Sequence, residues 1–135
     1  MTLLDENIAE DQCRLLRRQR LRLRQIGQDV GRQGMKDRED ILPLLHTLDR
    51  PTFFTRDLGF FEPNRCHGRY CLVCLDVHQK DTARFVRRLL RHPSFNTKAK
   101  RMGAVIRVSG AGLVLWRLNA RVAESLPWNR GAHQD

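Results

Sequence analysis

Short apolar segments that alternate with helical patterns constrain the fold of this chain more than any other feature. Apolar runs at residues 2–4, 52–55 and 70–77 are typical of buried strands. Residues 8–20 and 81–91 instead carry apolar side chains at helical spacing between charged ones. Because strands alternating with helices favour a parallel sheet, we predict an α/β fold with a mainly parallel central sheet flanked by helices.

The C-terminal part of the pattern predicts a β-hairpin. Residues 104–108 and 113–118 are apolar runs joined by a glycine-rich turn at 109–112. A chain of 135 residues has the size of one domain with its own core. We therefore predict a single domain over residues 1–126 and a flexible tail over residues 127–135.

A second helix is predicted to open in the charged run at residues 37–40 and to continue to about residue 48. Pro43 constrains where this helix begins, because proline is tolerated in the first turn, where its missing N–H has no partner anyway. If Asp40 is the N-cap, Pro43 falls in that turn and Glu39 lies just outside the cap.

The charges of the two halves differ. Residues 1–62 hold equal numbers of basic and acidic side chains, so the whole net charge of +10 lies in residues 63–135. This asymmetry favours a polyanion as partner, although a basic surface that serves solubility alone is the alternative. No segment has the apolar length needed to span a bilayer, and Asp5 and Glu6 follow the first residues at once. We expect a cytoplasmic protein that does not bind membranes.

Acidic side chains follow the predicted strands at their carboxyl ends. Asp5 follows the first strand and Asp57 the second, and Asp76 lies near the end of the third. The carboxyl ends of parallel strands meet at one edge of the sheet. We expect a further acid there from a helix start, either Glu39 or Asp40. Clustered carboxylates favour Mg²⁺ or Mn²⁺, and such an ion can activate water against a phosphodiester. The alternative is a set of helix caps and unrelated surface acids.

Three segments of the first half carry a resemblance to a known family. They are LLDEN at residues 3–7, DREDIL at 37–42 and TRDLGF at 55–60. With these segments the chain resembles the PIN-like family of small bacterial proteins, which is itself similar to the VapC-type toxin ribonucleases. The match covers residues 2–61 and extends weakly to residue 77.

The resemblance implies a metal-dependent endoribonuclease with Mg²⁺ or Mn²⁺ as cofactor. It also implies the toxin of a toxin–antitoxin pair, with RNA and a cognate antitoxin as partners, and such toxins commonly form homodimers. Carried over residue by residue, Asp5 is the first metal ligand, Glu39 the acid at the helix start and Asp57 the last ligand. Reserves for these positions are Asp37, Asp40 and Asp76.

Basic side chains of the second half are the predicted RNA contacts, and Arg56 is placed to contact the scissile phosphate. Phe53, Phe54, Phe60 and Phe61 offer base stacking, although core packing is favoured for Phe53 and Phe54. Full PIN nucleases carry a further acid on a segment that this chain lacks, so a non-catalytic nucleic-acid-binding module is the alternative. The predicted contacts are Arg56, Arg84, Arg87, Arg88, Arg91, Lys98, Lys100 and Arg101.

Three cysteines and a histidine allow a third hypothesis, a zinc-stabilised interaction protein. Cys66, Cys71 and Cys74, with His67, have spacings found in zinc sites. Residues three apart on a strand point to opposite faces, however, so Cys71 and Cys74 cannot bind one ion. Burial of these cysteines in the core is the favoured interpretation.

Overall fold

The computed structural model describes residues 1–35 and 38–128, and the chain is an α/β protein with one mixed, mainly parallel sheet. The strands are β1 (Thr2–Leu4), β2 (Arg24–Gln25), β3 (Thr52–Thr55), β4 (Cys71–Leu75), β5 (Val105–Ser109), β6 (Gly112–Trp116) and β7 (Glu124–Leu126). The α-helices are α1 (Glu10–Arg18), α2 (Arg38–His46), α3 (Thr82–Arg91) and α4 (Lys98–Arg101).

The order of the strands reverses between β1 and β3, the second and third strands of the sheet. The order is β2-β1-β3-β4-β5-β6-β7, with parallel pairing from β2 to β5. β6 and β7 then pair antiparallel, and Gly110 and Ala111 connect β5 to β6. The chain leaves β1 toward β2 on one side and returns to β3 on the other. In such sheets, ligands bind beyond the carboxyl ends of the strands at this switch point, here between β1 and β3.

Helices cover both faces of the sheet, so the protein has two cores. Side chains alternate between faces along each strand, and all four side chains of β3 are buried. One core contains α1 and α3 together with Leu4 and Phe54, and the other contains α2 together with Leu3 and Phe53. Because both faces of these strands are buried, their sequences are almost entirely apolar.

The cysteines of β4 follow the same alternation. Cys71 lies in the core with α1 and α3, and Cys74 lies in the core with α2. The prediction that these two side chains point to opposite faces is therefore confirmed.

Helix α2 begins within the charged run that predicts its start. It starts at Arg38, so Asp40 lies inside the helix and the prediction that Asp40 is the N-cap is wrong. Pro43 lies beyond the first turn, where its missing N–H leaves a carbonyl one turn earlier unbonded. Ile41 and Leu45 are fully buried one turn apart, and this packing outweighs the local cost of the proline.

Other boundaries differ at the edges of the sheet. Strand β7 and helix α4 were not predicted. Trp128, in the predicted tail, is partly buried and donates from Nε1 to the Ser109 carbonyl at 2.6 Å. Residues 129–135 of that tail lie outside the described residues. Within residues 1–35 and 38–128, no helix has the length and apolar character needed to cross a membrane.

Candidate functional site

Three polar side chains meet at the carboxyl ends of β1 and β3. Asp5 follows β1 and is only 4% exposed, and Thr55 ends β3 and is fully buried. The Thr55 hydroxyl donates to Asp5 Oδ2 at 2.7 Å and accepts the Asp57 N–H at 3.0 Å. One hydroxyl group therefore links the Asp5 carboxylate to the backbone of Asp57 at the switch point of the sheet.

The carboxylate of Asp5 is under-satisfied. Oδ2 binds Thr55, but Oδ1 is buried without a hydrogen-bond partner in the part of the chain that the structure describes. Burial raises the pKa of Asp5, and the nearby charge of Asp57 acts in the same direction, while the Thr55 hydroxyl and the backbone N–H groups of Glu6 and Asn7 oppose both. A buried charge with an unpaired oxygen is costly, so a proton or a cation at Oδ1 would be strongly favoured.

Asp57 is held by two donors. Its Oδ1 accepts the Gly59 N–H at 2.9 Å and thereby caps the short turn Leu58–Phe60. The same oxygen accepts from the Arg38 guanidinium at 3.1 Å, in an ion pair that is more than one-third exposed on both sides. Arg38 also lies over the Phe60 ring, with 5.8 Å between Cζ and the ring centroid.

Glu39, the third predicted metal ligand, lies elsewhere on the rim. It is exposed on α2 and lines a cavity of about 340 Å³ together with Arg38, Leu42 and Arg65. No hydrogen bond or ion pair between described residues joins Glu39 to either Asp5 or Asp57.

The reserve acids have partners of their own. Asp40 forms an ion pair with Arg32 at 3.5 Å, and Asp76, at the end of β4, forms one with Arg107 at 2.7 Å. Asp37 lies outside the described residues. Among the residues that are described, no three His, Cys, Asp or Glu side chains form a group that could hold a metal ion. Asp5 and Asp57 are the two predicted ligands that the structure brings together.

The arginines of α3 form a basic outer face. Arg84 pairs with Asp81 at 3.6 Å, and the Arg88 guanidinium lies 4.3 Å from the Trp128 ring centroid. Burial lowers the pKa of Arg88, and the charge of Arg84 adds to this effect. Arg87 and Arg91 form no ion pair with any described residue, which leaves two uncompensated positive charges on this face.

Arg56 lies at the same edge of the sheet as Asp57. It is exposed, follows β3 directly, and donates to the Val77 carbonyl at 3.1 Å. This position is compatible with the predicted contact to a phosphate.

The basic residues of α4 lie at the opposite edge, beside the amino ends of the strands. Arg101 donates from Nε to the Thr52 hydroxyl at 2.9 Å and from Nη1 to the Phe95 carbonyl at 2.8 Å. Burial lowers the pKa of Arg101. Lys98 pairs with Asp49 at 3.9 Å. Lys100 Nζ donates to the Pro93 carbonyl at 2.9 Å and to Asn96 Oδ1 at 3.0 Å.

Aromatic residues near the site belong mainly to the core. Phe53 and Phe54 are fully buried, as predicted, and Phe60 is also fully buried, so the expectation that Phe60 stacks on bases is wrong. The reason is that the turn after Asp57 folds back and directs Phe60 against Phe53, with 5.5 Å between ring centroids. Phe61 is half-buried.

Two site residues, Thr55 and Arg38, were not predicted as functional. Thr55 carries a weak signal, because a hydroxyl at the last position of a buried strand lies beside the neighbouring strand end. Arg38 carries none, since its partner Asp57 is 19 residues away and the pairing depends on how α2 packs.

The cysteine–histidine segment shows contacts typical of ordinary packing. Cys66 Sγ donates to the Trp116 carbonyl at 3.5 Å, and the His67 ring stacks on Tyr70. Burial raises the pKa of Cys71 and of Cys74 to about 12, so both thiols stay protonated at neutral pH.

Comparison with protein-family models, curated proteins and solved structures gives no match to this chain.

Proposed function

We propose that this protein is a metal-dependent endoribonuclease of the PIN-like type, with its site at the carboxyl ends of β1 and β3. One observation carries the proposal. Asp5 is a buried carboxylate with an unpartnered oxygen among the described residues, and Thr55 couples it to Asp57. Such an arrangement lowers stability unless a ligand completes it, and perturbed acids of this kind cluster at functional sites.

The donor set suits a hard cation in part. Asp5 Oδ1 and the Asp57 carboxylate are oxygen ligands of the kind that Mg²⁺ and Mn²⁺ prefer, whereas Glu39 faces a separate cavity. A bound ion would supply positive charge to a phosphodiester and lower the pKa of an attacking water. Asp5 and Asp57 would hold it, and Thr55 would keep Asp5 in position.

The basic outer face of α3 supports RNA as the substrate. Arg84, Arg87 and Arg91 recur at the three- and four-residue spacing that places side chains on one helix face. Arg87 and Arg91 are not neutralised by described acids, so they can bind phosphates along a strand that reaches Arg56 at the sheet edge. Lys98, Lys100 and Arg101 belong to a second basic region at the far edge.

The partners rest on the resemblance alone. A cognate antitoxin and a homodimer are proposed because PIN-like toxins have them. Co-purification of the chain with the product of a neighbouring reading frame tests the first, and sedimentation of the isolated protein tests the second.

Cleavage of labelled total tRNA and rRNA with Mn²⁺ or Mg²⁺ tests the activity. We expect wild type to cut, EDTA to stop the reaction, and Asp57→Asn to lose it. Asp76→Asn is the matched control, because Asp76 also follows a strand and, like Asp57, pairs with an arginine, but no hydrogen bond between described residues joins it to Thr55 or Asp5. Cleavage that survives in Asp57→Asn, or that EDTA leaves unchanged, would contradict the proposal.

A second candidate is a non-catalytic nucleic-acid-binding module. It is favoured by the pairing of Asp40, Asp57 and Asp76 with arginines, and by the absence, among the described residues, of any three His, Cys, Asp or Glu side chains placed to hold a metal ion. This candidate predicts no cleavage with any metal, together with salt-sensitive retention of RNA on the protein.

A further inference from the structure

The surrounding residues fix the position of the Arg38 side chain at the proposed metal site. Its guanidinium donates to Asp57 Oδ1 at 3.1 Å and lies over the Phe60 ring. Gly59 lies directly against it, and a Cβ at this position would collide with the guanidinium. The backbone of Gly59 has no positive φ, so glycine serves here to leave space for Arg38.

In this position the Arg38 guanidinium does not use all of its hydrogen-bond donors. Its Nε is buried without a hydrogen-bond partner within the described ranges, so the guanidinium uses only part of its donors. An arginine that is fixed but under-bonded can move to another acceptor at small cost.

We propose that Arg38 is a built-in counter-ion of Asp57 that opposes divalent-cation binding at Asp5 and Asp57. This inference rests on the proposed function for the presence of the cation site. A guanidinium stays charged at all accessible pH values, so it neutralises Asp57 permanently while it occupies Asp57 Oδ1. A divalent cation must displace Arg38 from that oxygen or bind beside a fixed positive charge, and either route weakens its affinity.

A cavity beside Arg38 can accommodate its side chain after displacement from Asp57. The cavity of about 340 Å³ beside it is lined by Glu39, Leu42 and Arg65. Arg65 is bonded to Glu62 through Nε and Nη2, at 3.2 and 3.0 Å, whereas Glu39 forms no ion pair with any described residue. Glu39 lines this cavity without an ion pair to any described residue, so it would be free to accept from a displaced Arg38.

Mn²⁺ binding measured by calorimetry and by electron paramagnetic resonance, without RNA, tests the inference. Arg38→Gln removes the counter-ion, and Gly59→Ala expels it while all charges are kept. We expect both variants to bind Mn²⁺ at least about tenfold more tightly than wild type, because an opposing charge has gone. Arg65→Gln is the matched control, since Arg65 lies over the same Phe60 ring without touching Asp57.

The outcomes separate this inference from the proposed function. Tighter Mn²⁺ binding in Arg38→Gln without any RNA cleavage would support the counter-ion and reject the nuclease. RNA cleavage by wild type with unchanged or weaker Mn²⁺ binding in a folded Arg38→Gln would overturn the counter-ion alone. Absence of Mn²⁺ binding in wild type, Arg38→Gln and Gly59→Ala would overturn both. Equal tightening in Arg65→Gln would overturn the specific pairing with Asp57. If Gly59→Ala does not fold, Arg38→Gln decides.

Discussion

Strand β3 has a fully buried threonine at each end, and the two have opposite surroundings. Thr52, at the amino end, accepts from Arg101, whose second donor reaches the Phe95 carbonyl. Thr55, at the carboxyl end, donates to Asp5, whose other oxygen is buried without a partner among described residues. At the amino end of β3 the polar side chains have hydrogen-bond partners. At the carboxyl end one carboxylate oxygen of Asp5 has none among the described residues.

This difference distinguishes a structural polar cluster from a site. Buried polar groups in native proteins nearly always have partners, and the exceptions call for an explanation. Arg101 is as buried and polar as a binding residue, yet its hydrogen bonds are used within the fold. The unmatched oxygen of Asp5 is the feature that a ligand would complete.

The largest expected effect separates Asp5 from Arg101. Asp5→Asn should lower RNA cleavage about 1,000-fold, because a cation ligand is lost. Its stability should not fall, since a neutral amide is less costly to bury and still accepts from Thr55. Arg101→Gln should lower the free energy of unfolding by about 2–3 kcal/mol, because it leaves buried acceptors without donors, and should retain Mn²⁺ binding.

Cleavage rates and urea unfolding of both variants measure this pair. The comparison fails if Asp5→Asn is the less stable protein, or if Arg101→Gln loses Mn²⁺ binding while it is folded.

A smaller effect is expected from removing the two hydroxyls of β3. Thr52→Val and Thr55→Val should each cost about 1–3 kcal/mol of unfolding free energy, since each removes a hydrogen bond to a charged partner, the half-buried Arg101 or the buried Asp5. Thr55→Val should also weaken Mn²⁺ binding, because Asp5 is no longer held in position. Calorimetry at a temperature where both variants are folded checks this, and equal Mn²⁺ affinities would show that Thr55 does not position the acid.

The pH dependence of stability should reveal Asp5 directly. Burial raises the pKa of Asp5 above its ordinary value of 3.8, so the folded protein keeps the proton to higher pH than the unfolded chain. Between 3.8 and the raised pKa, unfolding releases a proton, and stability falls as pH rises. Asp5→Asn lacks this loss, so its Tm advantage over wild type should grow through the window and stay constant above it. Thermal unfolding in EDTA measures this, and a Tm difference independent of pH would refute it.

The smallest effect concerns the two basic regions. Arg87→Gln and Arg91→Gln on α3 should each reduce the slope of log affinity against log salt by about 0.7 for single-stranded RNA. Lys100→Gln should change the slope less, because the Lys100 ammonium already bonds to neighbouring groups. Filter binding of RNA at several salt concentrations distinguishes the three variants. Equal changes in their salt slopes would show that α4 belongs to the RNA-binding surface.

Much of the fold was predictable because its signals are local. The apolar runs of β1 and β3 predict their strands, and their alternation divides Phe53 and Phe54 between two cores. The N-cap of α2 was misplaced at Asp40 because the preference of proline for the first turn competes with packing: Ile41 and Leu45 gain more from burial than Pro43 costs.

Sequence alone determined that Asp5 and Asp57 follow strands, and parallel pairing then requires that they share an edge of the sheet. Only the tertiary structure decided that Arg38 neutralises Asp57, that Glu39 faces another cavity, and that Arg101 is an internal anchor. Strand position depends on periodicity over a few residues. The partner of a charged side chain depends instead on how helices pack on the sheet, which brings together residues far apart in the chain.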